Sequence, residues 1–500
     1  MNNTLSAVKK PLVVLYQPRK DEEGCVNTPP YALLALAAVL VDEFHVLIFD
    51  GALVSEPWRD IDAVCGEQPI LAFGVTVITG PPILDARRFS QEARSRYAGT
   101  PVVWGGCHPS IDPEGTLRDG CVDFVILGQG EIPFREFLRQ RRDGISPSNI
   151  PGLCYITDDV VQLTRPIAPQ KLSSFPPRPF HLVDLSKYVR NINTIGKCIV
   201  YITSQGCPYQ CYFCSDTALY GTHWSGYAVE EMIRDVRMLY CLDISFLMIF
   251  DNNFFVNRMR VLEFCRQLQK EGLQLRWQAD ICVDQILNEF SSQDLAEIRA
   301  AGGEVFFVGA ESGSNDVLEL LNKRITRDDT IAAAQKCRDA GIRVIYSFMT
   351  GFPGIYREEF RDTITLCNQL AQEDNTNEII LCTYTPYPGT ELYRQFQHLL
   401  ETPRSLSEWG QWSVFAVKGN WIDSMHKTRI RNASVCLCAV YGFFPWHSLQ
   451  LMASKYSVVR LFLAPFKAVA SWRLRHQRFR FHIERHIYSF VELVLRPLFL

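Results

Sequence analysis

The sequence predicts an α/β chain: a doubly wound, Rossmann-like N-terminal domain, a partial (β/α)6 TIM-like barrel, and a helical C-terminal region. Three observations carry this. β-branched and aromatic runs alternate with helical stretches in two series, over the first 140 residues and again from about 195 to 400. The segments after those runs are rich in Gly, Thr, Asn and Asp, which turn a chain and let a ligand approach its backbone. From Glu401 to Leu500 the composition changes, with 14 Lys and Arg against 5 Asp and Glu. The expected domains are residues 1–145, a connector over 146–190, a core over 191–400 and a basic tail over 401–500. Five hundred residues, 47% of them apolar, suffice for several cores.

The first series begins with Pro11-Leu-Val-Val-Leu-Tyr16 as a strand and Pro30 to Val41 as a helix rich in Ala and Leu. Strands follow at His45–Asp50, Ile70–Ile78, Pro101–Trp104 and Val122–Leu127. Such alternation implies a parallel sheet with ligands outside the carboxyl ends of its strands. The turns at those ends are Thr76-Val-Ile-Thr79-Gly-Pro-Pro82, Gly105-Gly106-Cys-His108 and Gly128-Gln-Gly130-Glu131. Taken alone, they read equally as tight turns that any such fold needs.

The connector holds Pro147, Pro151, Pro166, Pro169, Pro176, Pro177 and Pro179, which break regular structure, and Phe180-His-Leu-Val-Asp-Leu reads as a docking segment.

The second series starts with Ile199–Thr203 as a strand, followed by Ser204-Gln-Gly-Cys207-Pro-Tyr-Gln-Cys211-Tyr-Phe213-Cys214-Ser215. Three thiolates at C-x3-C-x2-C can hold three irons of a [4Fe–4S] cluster and leave the fourth iron open to a ligand. The competing reading is three unrelated buried cysteines. Later strands at 244–250, 274–280, 304–311, 343–349 and 378–384 complete six units. Polar residues gather at their ends: Asp251-Asn252-Asn253, Gly309-Ala-Glu311-Ser312-Gly-Ser314, Gly351-Phe-Pro-Gly354 and Thr383-Tyr-Thr-Pro-Tyr-Pro-Gly389.

The cysteine stretch resembles the signature of the radical S-adenosylmethionine (SAM) enzymes, C-x3-C-x-aromatic-C, with Phe213 at the aromatic position beside the adenine. The resemblance implies that SAM chelates the open iron and that a reduced cluster cleaves it to methionine and a 5′-deoxyadenosyl radical. It further implies that Asp251, Asn252 and Asn253 hold the SAM amine, that Glu311 and Ser312 meet ribose or the SAM carboxylate, and that Gly351 and Gly354 admit adenine. The first series resembles the cobalamin-binding domain fused ahead of many such enzymes. Thr76-Val-Ile78 and Thr79 match its turn, Gly105 and Gly106 its double glycine beside the nucleotide tail, and Gly128, Gly130 and Glu131 a further turn of the fused subgroup. The D-x-H-x-x-G motif with its cobalt-ligating histidine is absent: His45 lacks the aspartate, and His108 lies in the nucleotide-tail loop. The loop from Thr76 to Pro82 is then expected to face the lower side of cobalamin. A second departure is Cys282, where many relatives carry arginine.

The family's most frequent reaction is methylation of an unactivated carbon by the deoxyadenosyl radical and methylcobalamin, in a dry cavity. The alternative is a cyclisation, oxidation or rearrangement with the same cofactors. A methylthio-transferring RNA enzyme would need three further cluster cysteines upstream, and Cys25, Cys65, Cys107 and Cys121 lack the spacing. A structural Fe–S protein leaves the open iron unexplained. The expected partners are a small-molecule or lipid-like substrate and a reductase, flavodoxin or ferredoxin as electron donor. The net charge of −3 gives no nucleic-acid bias.

Seventeen cysteines in a long chain argue for a reducing, cytoplasmic compartment rather than a disulfide framework. Cys25, Cys65, Cys241, Cys265, Cys337 and Cys367 read as core residues, and the first ten residues, with no apolar segment before their charges, are not expected to act as a signal peptide. In the tail, Asn432 to Ser454 carries no charge but reads as a poor transmembrane helix, since Pro445, His447 and Gln450 interrupt it. Trp472-Arg-Leu-Arg-His-Gln-Arg-Phe-Arg-Phe481 interleaves arginine with aromatics. It reads as a helical cap on the barrel, as a peripheral membrane contact or, least of the three, as a nucleic-acid contact.

Overall fold

The computed structural model describes residues 10–19, 28–66, 68–147, 149–192, 195–374, 376–412, 419–442 and 457–479. They form two compact units. The first holds the residues up to Lys187 with Ala218–Tyr220 and Pro403–Trp412; the second holds Tyr188–Thr217, Gly221–Thr402 and the residues from Ser413 on.

In the first unit, β1 (Leu12–Gln17), β2 (His45–Asp50), β3 (Ile70–Thr76), β4 (Val102–Gly105) and β5 (Phe124–Ile126) run parallel, and β6 (Leu153–Thr157) and β7 (Val160–Leu163) run antiparallel. The order β2-β1-β3-β4-β5-β6-β7 reverses between β1 and β3, the crevice where such sheets bind ligands. β1 is fully buried from Leu12 to Tyr16, as a parallel strand covered on both faces must be. Its side chains alternate: Leu12, Val14 and Tyr16 pack with Phe73, Phe89 and Trp104, whereas Val13 and Leu15 pack with Leu33, Phe134 and Phe137.

Two expectations need correction here. The connector is not irregular throughout: β6 and β7 extend the sheet as a hairpin. Asp158 and Asp159 form its two-residue turn at φ of 52° and 62°, the conformation that hairpin turns require. The surrounding prolines obscured two short β-prone runs. The basic tail also does not begin at 401, because Leu406 and Trp409 bury in the first core and Arg87 Nη1 donates to Ser407 Oγ at 2.8 Å. The segment at Phe180 docks edge-on against Tyr31, with Arg178 over both rings.

In the second unit, β8 (Arg190–Ile192) pairs antiparallel with β9 (Gly196–Tyr201). An antiparallel ribbon follows, β10 (Ser204–Gly206) with β11 (Trp224–Gly226). Then β12 (Phe246–Ile249), β13 (Arg276–Ile281), β14 (Gly303–Glu311), β15 (Arg343–Thr350) and β16 (Glu378–Thr383) extend β9 in parallel order, giving the six parallel strands of a partial barrel. Arg276–Glu304, Arg343–Glu304 and Arg343–Glu378 pairs at 3.4–3.5 Å cross the amino ends of β13 to β16. That leaves the carboxyl ends for chemistry.

Helices Ser424–Tyr441 and Ser457–His476 cover the β16 side. Asn432 Nδ2 donates to Phe479 O at 2.6 Å, and Asn368 Nδ2 to Leu474 O at 3.1 Å. No described helix is long and apolar enough to cross a membrane. Residues 443–454 of the uncharged stretch, the end of the arginine–aromatic stretch beyond 479, and Cys25 lie outside the described residues. Cys265, Cys337 and Cys367 are buried and Cys65 is partly so, but Cys241 is exposed just past the end of helix Val229–Tyr240.

Candidate functional site

The loop bearing Cys207, Cys211 and Cys214 leaves the barrel through the β10–β11 ribbon, and its entry is locked by buried polar groups. Asp251, at the end of β12, accepts from Thr203 N and Ser204 Oγ at 2.6 Å each, and from Thr203 Oγ1. Arg260 Nη2 donates to Thr203 O at 2.9 Å, and its Nε donates to Tyr227 O at 2.9 Å. A buried charge needs such partners. The loop itself is pinned from three directions. Tyr212 N donates to Leu321 O at 3.0 Å, Asn322 Nδ2 to Gln210 O at 2.8 Å, and Leu392 N to Tyr212 O at 2.8 Å. Tyr209 also donates to Asp284 at 2.6 Å.

The three cysteines are half-buried and free of disulfides. Burial raises all three thiols, Cys214 to about 12, and the Lys323 ammonium opposes this at Cys207 and Cys211. Three free thiols on one pinned loop fit a cluster held by three thiolates. Among the described residues, no three His, Cys, Asp or Glu side chains converge on a single metal ion. A cubane does not ask for that, since each thiolate binds a different iron.

Of the residues expected around SAM, Phe213 packs beside Leu321, Phe352 and Tyr384. The trio after β12 divides. Asn252 is exposed and makes no hydrogen bond among the described residues, while Asp251 braces the loop. Asn253 is buried, accepts from Phe255 N at 3.0 Å and donates to Cys282 Sγ at 3.5 Å. Glu311 sits at a break in the β14–β15 register with φ of 63°, a strained conformation that functional sites often hold. Gly309 lacks a Cβ where the Glu311 carboxylate lies. Lys323 Nζ donates to Glu311 Oε1 at 3.2 Å, both side chains being nearly buried.

The Ser312 hydroxyl is fully buried, with Thr363 Oγ1 at 3.2 Å, and accepts from Ser314 N at 3.1 Å. It serves the turn rather than an open pocket. Gly351 has φ of 88°, and a Cβ there would meet Ile422 at 2.7 Å; Trp421 Nε1 donates to its carbonyl at 2.7 Å. Packing thus requires this glycine, whereas Gly354, at φ of 83°, faces open space. Gly351 N donates to Glu359 at 2.8 Å, as does the Thr350 hydroxyl. Burial lifts the Glu359 carboxyl to about 8. On β13, the Asp280 side chain makes no hydrogen bond among the described residues, and burial, with Asp251 nearby, holds its carboxyl well above the usual range.

In the first unit the three expected turns come together. Val77 N donates to Gly105 O at 2.8 Å and His108 N to Val77 O at 3.0 Å. Ser110 Oγ donates to Gly106 O at 2.6 Å and accepts from Gly128 N at 3.0 Å. Gly106, at φ of 97°, lets the chain pass 2.9–3.0 Å from Val77 and Thr76, measured from where a Cβ would stand. Thr79 Oγ1 lies 3.2 Å from His108 Nδ1, while His108 Nε2 is buried with no partner. Burial lowers that imidazole to about 4 and lifts the Glu131 carboxyl, just after Gly130, to about 7. Ile78 is 45% exposed at the tip of its turn. Bare glycine backbone, an orphaned imidazole nitrogen and an exposed isoleucine suit a large, mostly apolar ligand with a polar tail.

Sequence reasoning missed Lys323, Arg260, Thr203, Glu359 and Trp421. Only Glu359 carried a signal, an acid on the buried stripe of helix Tyr356–Glu373 with Phe360, Thr363 and Ile364.

The radical SAM superfamily matches residues 201–367, and the B12 binding domain matches residues 26–138. The chain is 30% identical over 392 residues to an uncharacterised methyltransferase of Pyrococcus horikoshii, covering 77% of this chain and 83% of that protein. It is 25% identical to the anaerobic magnesium-protoporphyrin IX monomethyl ester cyclase of Rubrivivax gelatinosus, over 75% of this chain and 67% of that protein. Among solved structures it resembles the radical SAM methyltransferase TsrM from Kitasatospora setae, solved with cobalamin and a [4Fe–4S] cluster. That match has a TM-score of 0.63 at 22% identity and covers 79% of this chain and 76% of that one.

Proposed function

This chain belongs to the cobalamin-binding radical SAM family, and we propose that it methylates an unactivated carbon of a small-molecule or lipid-like substrate. Its cofactors are a [4Fe–4S] cluster, SAM and cobalamin. When bound, the cluster and SAM supply a 5′-deoxyadenosyl radical and cobalamin supplies the methyl group. The observation that carries the reading is the single loop of three free thiols, seated at the carboxyl ends of six parallel strands.

The protein's own groups bind and orient. Cys207, Cys211 and Cys214 hold the cluster; the Asp251–Thr203–Arg260 brace fixes the loop that presents them. Asn252 is left to meet the SAM amine, Glu311 the ribose, and Gly354 offers bare backbone to adenine. In the first unit, the turns of Gly105, Gly106, Gly128 and Gly130 would hold cobalamin's nucleotide tail, and the exposed Ile78 would offer it an apolar contact. Low-potential electrons come from a flavodoxin, ferredoxin or reductase in the cytoplasm. Leu461 and Trp472, 78% and 49% exposed on a helix that ends in Arg473 and Arg475, support a peripheral membrane contact of the last helix.

The cyclase relative favours a second reading, ring closure with the same cofactors. Anaerobic reconstitution followed by metal analysis and product mass decides. About four irons and about one cobalt per chain, with a product heavier by one CH2, are expected. Iron without cobalt, after cobalamin is offered, would overturn the methylation reading.

A further inference from the structure

We propose that Lys323 is a positioning residue whose ammonium supplies a fixed, buried positive charge to the cluster site and so raises the cluster's reduction potential. The proposal rests on the reading that Cys207, Cys211 and Cys214 hold the cluster. Lys323 lies outside every motif of the sequence. Its side chain is only 9% exposed, and its one hydrogen-bond acceptor among the described residues is Glu311 Oε1 at 3.2 Å. Two of its three N–H groups therefore have no acceptor there.

The backbone beside it is tied to the cysteine loop. Leu321 O accepts from Tyr212 N, and Asn322 donates to Gln210 O, both positions falling between Cys207 and Cys214. The ammonium is thus carried by the strap that holds the thiols and moves with them. Burial disfavours its charge, and the Glu311 carboxylate 3.2 Å away opposes this and keeps it protonated. At position 282, where the family resemblance implies arginine, this chain has a thiol, and Lys323 with its neighbour Arg324 are the cations that act on the Cys211 thiol.

One-electron reduction makes and breaks no bond. It takes an electron from a low-potential donor and adds one negative charge to the cluster and its thiolates. A buried cation on the segment that pins the thiol loop favours that state, because net charge near the sulfurs sets such potentials. Glu311 partly neutralises the ammonium, so removing each partner should move the potential in opposite directions.

The experiment is an anaerobic redox titration of reconstituted full-length protein without SAM, using dithionite and mediators and following the EPR signal of the reduced cluster. Lys323→Gln should lower the equilibrium constant for reduction about tenfold, 59 mV for a one-electron couple. Lys323→Arg should retain the wild-type value, and Glu311→Gln should raise it. Unchanged potentials, or shifts of the same sign in Lys323→Gln and Glu311→Gln, would overturn the proposal. If Lys323→Gln holds no iron, Lys323→Met, which keeps the stem without the charge, takes its place: a lowered potential upholds the proposal and an unchanged one, or a second failure to hold iron, overturns it. A wild-type protein without a reducible cluster would instead overturn the cluster reading itself.

Discussion

At the scale of single residues, the groups that matter are those whose environment contradicts their chemistry. Glu359 is a carboxyl buried under the Gly351 turn, its pKa lifted from 4.5 to about 8. Between those values the folded protein keeps a proton that the unfolded chain has released. Stability should therefore fall as pH rises from about 4.5 to 8 and level off above. Glu359→Gln should flatten that slope, which melting curves of both proteins across the window would reveal; parallel slopes would refute it. Gly106 is constrained by φ of 97° and by Val77 and Thr76. Gly106→Ala should destabilise the fold by about 1–3 kcal/mol and reduce the cobalt retained on purification. Cys211→Ala should abolish iron loading and reduce activity beyond the roughly 10–100-fold loss typical of groups behind a metal ligand. Full iron content in that variant would remove Cys211 from the ligand set.

At the scale of elements, the cluster loop is an irregular segment made rigid by its surroundings. β9 and β12 end side by side, and Asp251 on one accepts from Thr203 and Ser204 beyond the other. Arg260, from helix Arg258–Lys270, closes the same knot. Removing the charge but keeping the shape, as in Asp251→Asn, leaves buried donors poorly matched and should cost about 1–3 kcal/mol. Denaturant unfolding would measure it, and slower cluster reconstitution should accompany it. An unchanged midpoint would show that the brace is idle. The β6–β7 hairpin makes a different point, since two five- and four-residue runs around Asp158-Asp159 suffice to extend a sheet despite flanking prolines.

For the whole molecule, each unit carries one domain of the family: the B12 binding domain matches within the first and the radical SAM superfamily essentially within the second. The two are separable by measurement. Cysteine variants should lose iron while still binding cobalamin, and Gly106→Ala should lose cobalt while keeping iron. Joint loss of both metals in either variant would mean that the units do not load independently.

The sequence by itself determined the architecture of both units. Strand runs, turn glycines and cysteine spacing are local patterns, and β9 and β12 to β16 fall where those patterns put them. The spacing of Cys207, Cys211 and Cys214 needs no tertiary context to be read. Only the fold decided which polar groups are spent on structure and which stay open. Asp251, Asn252 and Asn253 are neighbours in sequence, yet one braces the loop, one is exposed and one is buried against Cys282. Ser312 is taken by Thr363, and Gly351 answers to Ile422, residues 51 and 71 positions away. Lys323 and Glu359 acquire their roles from burial among partners on other elements. Burial and hydrogen-bond pairing are properties of packed neighbours, which sequence spacing does not encode.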